Sequence, residues 1–314
     1  MKLSICIIHY NSIEYTIQVL NCIINSSLRK EVYEILVLDN GSSKILVDCI
    51  DFNYPKNLHI YRFDETVGFA AANNYLFSKS SADYLLMMNN DVIFDKSLLF
   101  KSIEFMENNA NASAMTCKIL NNDYSIQHPC YTNSHGLISE ISTLLAFAKI
   151  NYFLKVFISK MSNEKNSIPE LVKVKHACGC FILFRHSLIR SLHYLDEKFI
   201  FGLEDLDICN RLIKSFKDYD IYSVNSIELI HFGGGSREKF NLKLFSMIMQ
   251  SYSHYYFKYY GCTGLYVVYF FKWLNSFFHF LFLFVKKIFS LNYNSYFYCY
   301  HKNIILLKFF TFRG

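Results

Sequence analysis

Short apolar runs separated by amphipathic stretches set the rhythm of the first 120 residues. Residues 3–8, Leu-Ser-Ile-Cys-Ile-Ile, and residues 35–38, Ile-Leu-Val-Leu, are rich in branched side chains, and the segment between them places apolar residues at helical spacing. Strand, helix, strand is the economical prediction. Runs at residues 58–63 and 84–88 repeat the alternation. Strands of this kind suit a parallel sheet covered by helices on both faces. The expected class is therefore α/β, with a doubly wound, mostly parallel sheet.

The rhythm changes twice further on. Residues 121–170 hold a polar stretch around His128 to His135, an apolar helical segment near Leu137 to Met161 and a polar linker from Ser162 to Glu170. These read together as a variable insert. Strand-like patterning resumes at residues 171–184, 220–224 and 229–231. Residues 171–238 are thus expected to complete the domain begun by residues 1–120, with residues 239–314 a separate tail.

In such sheets ligands gather outside the carboxyl ends of the strands. His9-Tyr10-Asn11 follows the first predicted strand, Asp39-Asn40-Gly41-Ser42-Ser43 the second and Asn89-Asn90-Asp91 the fourth. Each alone is ordinary turn or cap chemistry. Their recurrence at one edge favours a binding site. Further on, an apolar loop delivers Glu204, Asp205 and Asp207 at a predicted helix start. Exposed N–H groups and the macrodipole favour an anion there by ~0.3–1 kcal/mol, so these acids are expected to be ionised and able to accept a proton. A helix cap with a surface charge cluster is the plainer alternative.

Composition narrows the field. The 314 residues are 52% hydrophobic, enough for a substantial core. Ten cysteines are scattered, mostly in apolar runs, and are expected to be reduced and buried. Only Cys178-Gly179-Cys180 is close enough to suggest a site, and it lacks the further ligands that zinc needs. Met1-Lys2 leads into an apolar run broken by His9, Tyr10 and Asn11, unlike a signal peptide, so a cytosolic location is expected. The glycines after His231 do not form a phosphate-binding P-loop, and no Gly-x-Gly-x-x-Gly follows the first strand. Nucleotide hydrolysis by a P-loop and dehydrogenase chemistry both lose support.

Seven blocks occur in a telling order: Ile-Ile-His-Tyr-Asn at 7–11, Val-Leu-Asp-Asn-Gly-Ser-Ser at 37–43 and Glu-Thr-Val-Gly-Phe-Ala-Ala-Ala-Asn-Asn at 65–74. Met-Asn-Asn-Asp-Val at 88–92, Leu-Asp-Glu-Lys-Phe at 195–199, Glu-Asp-Leu-Asp-Ile-Cys-Asn-Arg at 204–211 and His-Phe-Gly-Gly-Gly-Ser at 231–236 complete the set. In this combination the chain resembles the family 2 glycosyltransferases, especially their rhamnosyltransferase-like branch. The resemblance implies a GT-A fold and an inverting transfer of a sugar, rhamnose among the candidates, from a nucleoside-diphosphate donor to a hydroxyl of a lipid-linked glycan.

It also implies roles, residue by residue. Asp39 would recognise the nucleobase, with Tyr10, Asn11, Asn40, Gly68, Asn73, Asn74, Asn89 and Asn90 around the nucleotide-sugar. Asp91 matches the last acid of an Asp-x-Asp that holds Mg²⁺ or Mn²⁺ against the diphosphate, and His231 matches a histidine that shares the cation in some relatives. Asn89 stands where stricter versions have Asp, leaving one carboxylate and a need for water and phosphate oxygens. Asp205 would be the general base, with Glu204 the alternative and Asp207 and Arg211 holding the helix. The imperfect acid pair keeps a second reading open: a non-catalytic sugar-nucleotide-binding scaffold in a polysaccharide assembly complex.

The tail is physically distinct. Residues 239–314 carry nine basic residues, no acid and about half of the chain's aromatics. Residues 264–285 could span a bilayer in length, but Lys272, Asn275, Ser276 and His279 interrupt them. Helices lying at an anionic membrane surface fit better, each basic residue adding ~1 kcal/mol. Packing on the catalytic domain or in a homodimer is the competing expectation. Long aliphatic runs dilute the lysines, which argues against nucleic acid. A peripheral position on the cytoplasmic face of the cell membrane follows.

Overall fold

The computed structural model describes residues 1–50, 54–127, 131–132, 137, 169–233, 242–289 and 301–302. The predicted insert helix, apart from Leu137, lies outside the described residues. So do the glycines at 234–235 and most of the chain beyond 289.

The chain divides into two compact units, Met1–Asn133 with Ile168–Arg237, and Ser134–Ser167 with Glu238–Gly314. The first is built on a nine-stranded sheet. Strands β1 (Leu3–His9), β2 (Tyr33–Asn40), β3 (Leu58–Phe63) and β4 (Tyr84–Met88) are followed by β5 (Val92–Phe94) and β6 (Ala112–Leu120). The short pair β7 (Tyr131–Thr132) and β9 (His176–Ala177) forms a separate ribbon, while β8 (Leu171–Val174), β10 (Phe181–Arg185) and β11 (Asp220–His231) join the main sheet. The order is β3-β2-β1-β4-β10-β6-β11-β5, with β8 also paired to β11. Helices α1 (Ile13–Ile24), α2 (Phe69–Lys79), α3 (Leu98–Asn108), α4 (His186–Ser191) and α5 (Glu204–Ser215) connect these strands.

The predicted strands at 3–8, 35–38, 58–63 and 84–88 form, and their pairings are parallel. β10 runs antiparallel between β4 and β6, making the sheet mixed. That reversal brings the amino end of β10 to the edge where β1, β2 and β4 end. The runs at 220–224 and 229–231 are one strand rather than two. Its register slips between Val224 and Glu228, where Asn225 bonds to the Glu170 and Pro169 carbonyls instead of the ladder. Polar residues at this bulge interrupt the apolar pattern, which is why the sequence suggests a break.

Ile5, Ile7, Val37, Leu86, Met115 and Phe181 from the sheet and Val19, Leu20 and Ile23 from α1 are 0–1% exposed and share one core cluster. Each such side chain contributes ~1.5–3 kcal/mol by leaving water. None of the eight described cysteines is in a disulfide, and they are not all buried as expected: Cys49 and Cys262 are exposed and Cys22 and Cys178 half-buried. The first three positions flank surface turns or helix rims rather than the sheet interior.

α5 is anchored by a buried ion pair. Leu206, Ile208, Cys209 and Leu212 face the core, and Asp207, 0% exposed, accepts a 2.7 Å bond from Arg211 Nε one turn on. The other guanidinium nitrogens donate to the carbonyls of Leu192 and Tyr194 at 2.9 and 2.6 Å. These bonds hold a turn in which His193 and Tyr194 have φ of 57° and 61°, a costly conformation for residues with a side chain. The expectation that Asp207 and Arg211 hold the helix matches these contacts.

In the second unit, helix α6 (Leu242–Phe289) breaks at Gly261, whose φ of 65° and ψ of −166° are not helical. Two contacts show that the chain folds back there. Tyr269 Oη donates to the Met249 carbonyl at 3.0 Å, and Lys272 Nζ lies 3.9 Å from the Tyr252 ring centroid. Residues twenty apart in a straight helix would be ~30 Å from one another. α6 is therefore a helical hairpin with its corner at Gly261. Among the described residues no helix is long and apolar enough to cross a membrane.

Replacing Arg211 by Ala strands the buried Asp207 charge and frees two carbonyls. Urea denaturation should show a loss of about 3–5 kcal/mol; a loss below 1 kcal/mol would refute this anchoring.

Candidate functional site

The carboxyl edge of the sheet gathers most of the residues singled out by sequence. His9, Asp39 and Arg62 are in register across β1, β2 and β3. Asp39 is 1% exposed, and its carboxylate accepts from the backbone N–H groups of Ser42 and Leu46 at 3.0 and 3.1 Å and from Arg62 Nη1 at 2.6 Å. Burial alone would raise this acid, but the bonds from Ser42, Leu46 and Arg62 hold it below the usual carboxylate range. With the Ser42 side chain also bonding to it, donors within the fold meet all of its roughly four acceptor positions.

Neighbouring polar groups shape the turns around Asp39. Asn11, at φ 49°, accepts from the Ser43 N–H and hydroxyl at 2.9 and 3.0 Å, and its own N–H donates to Ser42 Oγ. Asn40 clamps Val67 through two 3.0 Å bonds. Tyr10 is 45% exposed and open to stacking. His9 is fully buried, its Nδ1 bonded to Thr16 Oγ1 and its Nε2 without a partner; burial lowers its pKa.

Gly68, Asn73 and Asn74 lie at the start of α2, and the structure gives all three work within the fold. A Cβ at Gly68 would sit 3.2 Å from Ile200 Cα, so glycine lets the loop before α5 close on α2. Asn74 bonds to Leu195 in both directions and to Glu197, while Asn73 is buried and donates to the Phe69 carbonyl. The two halves of the sequence pattern, 65–74 and 195–211, thus meet in space.

After β4, Asn90 donates to Ser12 Oγ and Thr16 Oγ1 at 2.6 and 2.8 Å, tying the turn to α1. Asn89 Nδ2 lies 3.2 Å from His231 Nε2, and Asp91 Oδ1 lies 3.2 Å from the same nitrogen. Gln127 Oε1 is 2.7 Å from His231 Nδ1, and the Gln127 amide nitrogen donates to Asn121 Oδ1, which fixes its orientation. Gln127 Oε1 thus fixes the imidazole ring, whose Nε2 faces both the Asn89 amide and the Asp91 carboxylate. The donor set, one carboxylate oxygen and one imidazole nitrogen, fits Mg²⁺ or Mn²⁺ completed by water and phosphate oxygens. No group of three or more His, Cys, Asp or Glu suited to a metal occurs among the described residues.

The acids of α5 face this loop across a single turn. Gly179 N–H donates to Asp205 Oδ2 at 2.8 Å, and Leu206 N–H donates to Oδ1 at 2.8 Å. A Cβ at Gly179 would lie 3.1 Å from Asp205 Oδ2, so the approach depends on glycine. One residue on, the Cys180 carbonyl accepts from Asn89 N–H at 3.0 Å. Cys178 is within electrostatic reach of both Asp205 and His231. Residues 178–180 thus bridge the metal-type loop and α5.

The expectation that both leading acids are ionised needs correction. Burial, then the neighbouring Asp205 charge, pushes Glu204 up to about 8. Glu204 is 5% exposed and its Oε2 has no partner, so loss of water outweighs the helix N-terminus. Burial also raises Asp205, with the N–H groups of Gly179 and Leu206 pulling the other way. At neutral pH Glu204 is mainly the neutral acid.

Sequence reasoning missed Arg62, Gln127 and Gly179. Arg62 could have been found from strand register, since it is directly opposite Asp39. Gln127 sits in a stretch without periodicity, and Gly179 was read only as a spacer between cysteines.

The profile of glycosyl transferase family 2 matches residues 4–192. The chain is 24% identical over 234 residues to rhamnosyltransferase WbbL of Escherichia coli, covering 72% of this chain and 83% of that protein. It is 23% identical over 227 residues to the teichoic acid poly(glycerol phosphate) polymerase of Staphylococcus epidermidis, covering 68% of this chain but only 27% of the polymerase. Among solved structures, S. aureus TarS 1–349 superposes with a TM-score of 0.52 at 13% identity, over 83% of this chain and 73% of that one. GalNAc-T7 with UDP, GalNAc and Mn²⁺ gives a TM-score of 0.56 at 13% identity, over 82% and 50%. These likenesses show the GT-A fold, and the profile match shows that the chain belongs to glycosyl transferase family 2.

Proposed function

We propose that the chain is an inverting glycosyltransferase that moves a sugar, rhamnose being the reading favoured by resemblance, from a nucleoside-diphosphate donor to a hydroxyl of a glycan. The acceptor is a lipid-linked precursor in surface polysaccharide synthesis, met at the anionic cytoplasmic face of the membrane by the basic tail. One observation carries the reading: Asp205 is a half-buried carboxylate, braced by Gly179, beside the strand edge that holds Asp39, Asp91 and His231. The relatives support it in their own right, one being a rhamnosyltransferase and TarS having been crystallised with UDP-GlcNAc.

Asp39, at the carboxyl end of β2, takes the nucleobase, and Tyr10 supplies a face to stack on. Asp91 and His231 hold the divalent cation, which when bound stabilises charge on the departing diphosphate. Asp205 takes the proton of the acceptor hydroxyl as that oxygen attacks the anomeric carbon and the bond to the diphosphate breaks. A base raised by burial is better matched to that proton than an ordinary carboxylate, and such catalysis contributes ~10²–10⁴-fold. Glu204 keeps a neutral neighbour beside the base, so Asp205 can carry the one negative charge of the pair.

A screen of nucleotide-sugars for thermal stabilisation tests donor binding, since a ligand at ~100 times its Kd adds ~2.7 kcal/mol. The matching donor should stabilise the protein with Mg²⁺ or Mn²⁺ present, and Asp91→Ala or a chelator should remove most of that gain. No stabilisation by any nucleotide-sugar would end the reading. Asp205→Asn should keep the donor-induced shift while transfer falls ~10²–10⁴-fold; near-normal turnover would remove Asp205 as the base. Donor binding by the wild type without any transfer would instead favour the scaffold.

The Glu204 shift predicts a stability slope. Its folded value of about 8 lies above the unfolded one, so the folded state binds the extra proton between roughly pH 4.5 and 8 and stability falls as pH rises through that window. Glu204→Gln should flatten the decline measured by denaturant unfolding; an unchanged slope would contradict the neutral acid.

A further inference from the structure

The second arm of the α6 hairpin turns an aromatic face outward. Tyr266, Phe270 and Phe277 are 44%, 48% and 37% exposed, and Trp273 is half-buried, stacked on Phe277 at 5.4 Å. Steps of four, three and four residues put all four on one side of the helix. Leu265, Val268 and Tyr269, on the other side, are buried. An exposed helix face is ordinarily polar. Here the arm is inverted, with its polar Lys272 drawn back over the Tyr252 ring and aromatic rings left in the open.

Charge identifies what covers this face. Residues 239–314 contain nine basic residues and no acid. A second copy bringing the same region would meet like charge, whereas an anionic lipid surface complements it. Tyr, Trp and Phe are also the residues that settle at the boundary between headgroups and acyl chains. Among the described residues no helix is long and apolar enough to cross a membrane.

We propose that Tyr266, Phe270, Trp273 and Phe277 form a keel that inserts into the headgroup region of an anionic bilayer, laying the second arm of α6 flat on the membrane. This rests on the membrane reading of the tail and specifies the face and residues that make the contact. The corner at Gly261, with exposed Phe257 and Lys258 just before it, lies at one end of the keel.

Trp273 is the chain's single tryptophan, so its emission reports on the keel alone. The full chain is titrated with vesicles of phosphatidylglycerol and phosphatidylcholine, and with phosphatidylcholine alone. The keel predicts a blue shift and loss of iodide quenching with anionic vesicles, and quenching by lipids brominated on the acyl chain. Tyr266→Ser with Phe270→Ser should weaken vesicle binding by at least about tenfold, while the donor-induced melting shift, which serves as the folding control, stays unchanged.

Vesicle binding with Trp273 still open to iodide would overturn the keel and leave a purely electrostatic tail. Absence of vesicle binding would overturn both, without touching the donor site. A blue shift that grows with protein concentration in the absence of lipid would show a face between copies of the chain and overturn the proposal.

Discussion

A single backbone N–H, that of Gly179, holds together the two halves of the candidate site. Its 2.8 Å bond to Asp205 is eased by the absence of a Cβ, which would sit 3.1 Å from Asp205 Oδ2, and the Cys180 carbonyl receives the Asn89 N–H. Two loops that are far apart in sequence are thereby referenced to one turn at the start of β10. β10 is antiparallel to β4, and that reversal is what brings its first residues to the edge where the parallel strands end. Topology supplies the meeting point, and glycine supplies the clearance.

Besides Asp205, four buried acids lie at or near this edge, and each meets the cost of burial differently. Asp39 is surrounded by donors and an arginine and stays ionised. Asp207 is paired with Arg211 and serves the fold. Asp91 is set against the His231 imidazole at 3.2 Å. Glu204 has only backbone N–H groups on one side and an Oε2 without a partner, too little to offset burial, and keeps its proton. A buried charge needs a partner or neutralises, and the distribution of partners separates residues that can bind and react from residues that brace.

The α/β class, the first four strands and the helix bearing the acids were legible because period and composition agreed there. β5 was too short, and β6, though apolar, was not separated from the helix before it. The single strand β11 was hidden by its bulge at Asn225. Within the site, Asp39, Asp91, Asp205 and His231 were visible as side chains at strand or helix ends. What sequence could not give was who satisfies whom: Arg62 across a strand register, Gln127 from an irregular loop, Gly179 through the absence of a side chain. Asn73 and Asn74 illustrate the converse, since side chains suited to a ligand are bonded within the fold. The expectation of an ionised Glu204 failed because the dipole of a helix start is weaker than full burial.

The central claim is that Asp205 drives a single displacement, with the acceptor oxygen arriving opposite the departing diphosphate. Once the donor is known, proton NMR of the first-formed product gives the anomeric configuration of the new bond directly. The account predicts a configuration opposite to that of the donor sugar. Retention of the donor's configuration would contradict it and require a different role for Asp205.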